Sequence, residues 1–115
     1  MSADPNCIFC KIVAGQIPAK KVFDNEELLA FHDIHPWAPV HVLVIPKAHI
    51  ATLSATGPEH EAMLGRMLAL APRLMRELGV TGGFRTAINT GKDGGQEVYH
   101  LHMHVFGGPR PWTKG

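Results

Sequence analysis

The residues best equipped for chemistry are the three histidines of His100-Leu101-His102-Met103-His104-Val105. Side chains alternate across a strand, so the three imidazoles fall on one face and Tyr99, Leu101, Met103 and Val105 on the other. With that second face buried, the imidazoles stand in a row. Packing alone accounts poorly for such a row, because every buried imidazole needs hydrogen-bond partners. Two chemistries fit it. Neutral imidazoles can chelate zinc, or one imidazole can act as a nucleophile while its neighbours orient it and hydrogen-bond the electrophile. Immediately upstream, Asn89-Thr90-Gly91-Lys92-Asp93-Gly94-Gly95-Gln96-Glu97 is rich in unobstructed backbone N–H groups. Such a loop can cradle phosphate oxygens or simply close a hairpin, and the adjacent imidazoles favour the phosphate.

A second constellation is Cys7-Ile8-Phe9-Cys10. In a reducing compartment C-x-x-C signals metal or redox chemistry more often than a structural disulfide. The redox reading is the weaker, since a thioredoxin-like motif follows a strand and only six residues precede Cys7. With two cysteines in the chain a four-cysteine zinc site is impossible, and two histidines could complete a Cys₂His₂ set.

These groups need elements to position them. Ile8 to Ala14 can form one or two helical turns stopped by Gly15. Lys20 to Asp24 and Leu28 to Asp33 are candidate strands around an Asp24-Asn25 turn. The prolines at 36 and 39 make Ile34 to Pro39 a loop. Val40 to Pro46 is a strong strand, with Val40, Val42 and Val44 on one side and His41, Leu43 and Ile45 on the other. Gly57-Pro58 opens the one long helix, and apolar residues at 63, 64, 67, 68, 71, 74, 75 and 78 make its buried face. Gly79 is its stop, and Pro72 is a possible kink. His60 is expected on its exposed face, and Met63, Met67 and Met75 in the core. Phe84 to Thr90 and Tyr99 to Gly107 are the last strands. Most connections are too short for parallel crossovers, so the expected fold is α+β, with about five mainly antiparallel strands.

Size and charge bound the function. At 115 residues the chain is expected to be one domain, 1–115, with a core over about 7–108 and a tail over 109–115. Eleven basic residues against ten acidic ones argue against nucleic acid as a partner held by bulk charge. No apolar run approaches the roughly 20 residues that cross a bilayer, so no membrane partner is expected. Met1-Ser2-Ala3-Asp4-Pro5 lacks the basic and apolar regions of a secretory signal, and a cytoplasmic location is expected.

Three stretches then combine into a more specific pattern: Phe31-His32-Asp33-Ile34, His41 through Ile50, and Gly94 through Val105. Their order and content strongly resemble the histidine-triad (HIT) family, and the Tyr-His-x-His-x-His-Val-x-Gly-Gly form resembles its HINT branch. The likeness runs from about Cys7 to Gly108.

The resemblance implies a HIT-like fold and a nucleotide-binding hydrolase that cleaves at the α-phosphorus of purine nucleoside phosphoramidates or adenylated compounds. The nucleophile would be His102, giving a nucleotidyl-histidine intermediate. His104 would hydrogen-bond a phosphate oxygen or the leaving group, and His41 would line the phosphate site. Asp33 would hold the ribose hydroxyls, for which a carboxylate is a suitable bidentate acceptor. Ile8, Phe9, Phe31, Ile34 and Leu43 would enclose the base. Asn89, Gly95, Gln96 and Glu97 would face ribose and α-phosphate. Glu97 departs from the hydroxyl residue common in this branch, and an ionised carboxylate cannot donate to phosphate. Some relatives hold a structural zinc, here on Cys7, Cys10, His49 and His100, while catalysis requires no metal. A homodimer is implied, with Trp112 of the tail near the partner's active site. His32 and His35 are expected to be structural. Competing expectations are a dinucleoside polyphosphate hydrolase, a non-catalytic nucleotide- or partner-binding protein, and a metallohydrolase.

Overall fold

The computed structural model describes residues 3–114; Met1, Ser2 and Gly115, which the expected unit includes, lie outside the described residues. Strands β1 (Lys21–Asp24), β2 (Leu28–His32), β3 (Val40–Pro46), β4 (Phe84–Ala87) and β5 (Met103–Gly107) build one sheet. Its order is β1-β2-β3-β5-β4 and every neighbouring pair is antiparallel. Helix α1 (Ile8–Val13) and helix α2 (Glu61–Glu77) complete an α+β architecture, with 3-10 turns at Leu53–Ala55 and Pro58–His60. Among the described residues no helix is long and apolar enough to cross a membrane.

Period-two alternation gives the sheet two different faces. Ala30, Val42, Val44, Leu101, Met103 and Val105 meet α2 through Met63, Met67, Leu70, Ala71, Leu74 and Met75. Leu29, Phe31, Leu43 and Ile45 face the other way, against Phe9, Cys10 and Ile12 of α1. The expected sidedness of β3 therefore holds. Helix α2 runs through Pro72 and ends on Gly79 at φ 82°, where Val80 N–H donates to Met75 C=O and Gly79 N–H to Arg76 C=O, a Schellman stop.

Five expectations need correction. Leu68 is 56% exposed and Leu70 is buried, because Leu70 lies three residues from Met67 and four from Leu74 while Leu68 falls at the stripe's edge. Strand β4 ends at Ala87 instead of Thr90. Strand β5 begins at Met103 instead of Tyr99, because Leu101 N–H donates to Ile50 C=O at 2.6 Å and the chain bends before pairing with β3 and β4. Tyr99 is consequently exposed, not part of the buried face. His60 is half-buried, and its Nδ1 accepts the Gly57 N–H at 3.0 Å.

Candidate functional site

The face of the sheet opposite α2 is covered only in part by α1, and beside that helix lies an open cavity of about 1640 Å³. Strand β5 sends His104 and Phe106 to this side, directly opposite Leu43 and His41 of β3 and Ala87 and Arg85 of β4. The bend before β5 leaves His102 on the same side, its ring centroid 5.1 Å from that of His104. His100 also turns to this side but is fully buried, 5.9 Å from Phe9 and 5.1 Å from His49 between ring centroids. The three imidazoles thus share a face, as their spacing predicts, yet divide between two centres.

Hydrogen bonds fix the tautomers. His102 Nδ1 lies 2.7 Å from the His100 carbonyl oxygen, which can only accept, so Nδ1 carries the proton and Nε2 keeps its lone pair. His41 Nδ1 accepts the Trp37 N–H at 3.0 Å, so a neutral His41 carries its proton on Nε2. That Nε2 lies 2.9 Å from His104 Nδ1 and donates to it. Neutral His104 is left with an Nε2–H. The site therefore pairs an acceptor-type nitrogen on His102 with a donor-type nitrogen on His104, whose ring lines the cavity.

Burial holds both members of the donor pair neutral. His41 is lowered by desolvation, opposed in part by Asp33, whose Oδ2 lies 3.6 Å from His41 Nε2. His104 is pushed down to about 4 by burial and then by His102 and His41. Near neutrality His104 is thus a hydrogen-bond donor and not an imidazolium.

Phe9, Phe31 and Leu43 form an apolar wall, Phe9 meeting Phe31 edge-on at 5.6 Å and His102 at 5.2 Å. Ile8 and Ile34 stand at the rim, largely exposed. Asp33 is half-buried, and its Oδ1 accepts the His35 N–H at 2.8 Å. Asn89, Gly95, Gln96 and Glu97 line the opposite wall, with Glu97 exposed. The Gln96 amide is spent on the backbone: its oxygen accepts from Gly91 N–H, and its nitrogen donates to Ala51 and Val98 carbonyls. It braces the loop. A Cβ on Gly94 would lie 2.3 Å from the Thr90 carbonyl oxygen, so the loop closes this tightly only with glycine there. His32 and His35 lie at the cavity margin.

The second centre gathers Cys7, Cys10, His49 and His100, whose ligand atoms all lie within 4.8 Å of one another. His100 Nε2 donates to the Pro46 carbonyl at 2.7 Å, so its Nδ1 lone pair points at Cys7 Sγ (3.3 Å) and Cys10 Sγ (3.5 Å). His49 Nδ1 lies 3.3 Å from Cys10 Sγ. A carbonyl bond on the far nitrogen is the usual way a ligating imidazole is oriented. Two soft sulfur donors and two imidazole nitrogens this close together fit Zn²⁺ as four protein ligands with no position left over. Burial raises the Cys10 thiol, and the neighbouring Cys7 raises it further. Asp33, His41 and His104 also converge within 4.8 Å, but two of them already share a hydrogen bond.

Trp112 is folded back on its own chain: its Nε1–H donates to the Gly108 carbonyl at 2.9 Å and its ring meets Phe106 at 5.5 Å. Trp37 is the residue that the sequence reading passed over. Its indole stacks on His104, centroids 4.1 Å apart and planes 20° from parallel. No spacing rule announces this contact, because a loop and a strand far apart in sequence create it.

The model of the HIT domain matches residues 14–110. The chain belongs to the HIT family. It is similar to the purine nucleoside phosphoramidase of Escherichia coli K12, at 44% identity over 88% of this chain and 86% of that one. Among solved structures, a HIT family hydrolase from Legionella pneumophila is 45% identical with a TM-score of 0.88, covering 91% of this chain and 95% of the other. A zinc-bound histidine triad family protein from Mycobacterium smegmatis is 39% identical with a TM-score of 0.78, covering 89% of this chain and 72% of the other. The α+β fold expected from the HIT resemblance is thus the fold of the family.

Proposed function

We propose that this HIT protein is a nucleotide-binding hydrolase that cleaves purine nucleoside phosphoramidates or related adenylated compounds at the α-phosphorus through a nucleotidyl-His102 intermediate. The observation that carries the reading is the bond from His102 Nδ1–H to the His100 carbonyl, which commits the Nε2 lone pair to attack. That lone pair forms the N–P bond while the bond to the leaving amine breaks and the amine takes a proton from solvent. Water then attacks phosphorus and gives up a proton to solvent, the N–P bond breaks, and its electron pair returns to Nε2. One hard displacement becomes two easier ones. His104 Nε2–H donates to a phosphate oxygen or the leaving atom as charge develops, and His41 holds His104 in the required tautomer.

Phe9, Phe31 and Leu43 take the base, Ile8 and Ile34 close its rim, and Asp33 accepts from the ribose hydroxyls. Asn89 and Gly95 with the backbone of Gln96 and Glu97 meet ribose and phosphate. Cys7, Cys10, His49 and His100 would hold Zn²⁺, which when bound would cross-link α1 to the segments after β3 and before β5. The similarity to a phosphoramidase and to a zinc-bound family member supports both assignments. The protein acts as one domain and as a homodimer, for which the outer edge of β4, unpaired among the described residues, offers a surface, in a reducing cytoplasm where both cysteines stay out of a disulfide. A second reading, dinucleoside polyphosphate hydrolase, is favoured by the cavity's size and by its cations Lys20, Arg85, Lys92 and Lys114.

Mass spectrometry of protein quenched without acid during turnover of adenosine phosphoramidate tests the proposal. A nucleotide adduct on His102, absent in a folded and inactive His102→Ala, is the expected result. Turnover without His102 sinks the mechanism, and faster turnover of diadenosine polyphosphates selects the second reading.

A further inference from the structure

Trp37 touches both members of the donor pair. Its indole lies flat on the His104 ring, and its backbone N–H donates to His41 Nδ1. The loop that carries it is tied down in turn. The Trp37 carbonyl accepts from Thr113 N–H at 2.9 Å and Lys114 N–H at 3.2 Å, and the Thr113 hydroxyl donates to the Pro36 carbonyl at 3.2 Å. Phe106 meets the indole edge-on at 5.2 Å, and Lys114 Nζ lies 5.4 Å from its centroid. The indole is therefore wedged between strand β5 and the C-terminal tail.

An imidazole with one hydrogen bond can still swing about its side-chain torsions. His104 is confined by three contacts: His41 at Nδ1, the His102 ring 5.1 Å away at 70°, and the Trp37 stack. Only the stack covers a whole ring face, fixing the plane in which Nε2–H points. We propose that Trp37 is the positioning residue of the site, fixing the plane in which the His104 Nε2–H points into the cavity, and that the tail over residues 109–114 holds Trp37. The inference rests on the hydrolase reading for its kinetic consequence but not for its structural one.

The groups that face His104 are His41 from β3, His102 from its own chain segment, Asp33 from the loop after β2, and Lys114 from the tail. All remain when the indole is removed, so water reaching the uncovered ring is the one change. Without the indole, His104 titrates at a higher pH.

The test uses Trp37→Ala together with Trp37→Leu, which keeps apolar bulk without a planar face, and Trp37→Phe, which restores a stacking ring. Nitrogen-15 NMR of the His104 ring and kcat and KM for adenosine phosphoramidate are measured on each folded variant. In the Ala and Leu variants the His104 titration is expected to move up, most in Ala, while its tautomer, set by the His41 bond that every variant keeps, is unchanged. In the same variants kcat is expected to fall on the order of 10- to 100-fold, with KM changed little because the apolar slot is intact. Trp37→Phe recovers most of both. The inference is overturned if His104 keeps its wild-type titration in the Ala variant, or if KM rises while kcat stays, which makes Trp37 a substrate contact. Wild-type protein without turnover defeats the hydrolase reading instead, and the NMR arm still decides the positioning role.

Discussion

At the scale of the residue, the site is defined by which nitrogens carry protons. A carbonyl oxygen beside His102 Nδ1 and an N–H beside His41 Nδ1 leave no choice of tautomer along either branch. Because His104 is held down at about 4, it contributes a directed hydrogen bond and not a labile proton. Removing one such donor from a preorganised site costs roughly 10²- to 10³-fold in kcat. His104→Ala is therefore expected to lose that much in kcat while adenosine monophosphate still binds through the base slot and Asp33. Steady-state kinetics with calorimetric binding check it; equal losses in kcat and nucleotide affinity would contradict the role. The row of imidazoles was legible in the histidine spacing, and the family likeness singles out His102 within it as the proposed nucleophile. The donor's dependence on Trp37 was not, since stacking between a loop and a strand has no local signature.

At the scale of the element, α1 is the part with least to hold it. It is six residues long, too short to be stable by its own hydrogen bonds, and its interior residues add only Phe9, Cys10 and Ile12 to the core. The cysteines sit at its cap and first turn, where Cys7 Sγ also accepts the Cys10 N–H. Between them Phe9 forms a wall of the apolar slot and abuts His102. His100 joins the two centres more directly, giving its ring to the cysteines and its carbonyl to His102. Zn²⁺ is accordingly expected to raise Tm by several degrees, to slow amide exchange in α1, and to leave a Cys10→Ser variant unaffected. An unchanged α1 exchange profile on adding Zn²⁺ would remove this centre from the account. Strands and the long helix were readable from periodicity. The early end of β4 and late start of β5 were not, because the Leu101 N–H finds its acceptor in Ile50, half a chain away.

At the scale of the whole molecule, the imidazoles that serve the site also set its stability against acid. His41, His100 and His104 are all buried and all lowered by desolvation, so folding disfavours their protonation. The unfolded chain binds protons at His104 near pH 6.5, whereas the folded chain does so only near 4. Between those values the unfolded state holds more protons, and stability falls as pH falls. The contribution is fully present above about pH 6.5 and is lost progressively down to about 4, amounting for His104 alone to roughly 3 kcal/mol. Urea titrations at pH 7, 5.5 and 4.5 should show the wild type weakening steeply across this window. His104→Asn should weaken less, because one titrating group is gone while the Cys–His centre and its own acid sensitivity are common to both proteins. If the two proteins lose stability in parallel, His104 is not the group being titrated, and its neutral, donating state near neutrality would have to be given up with it.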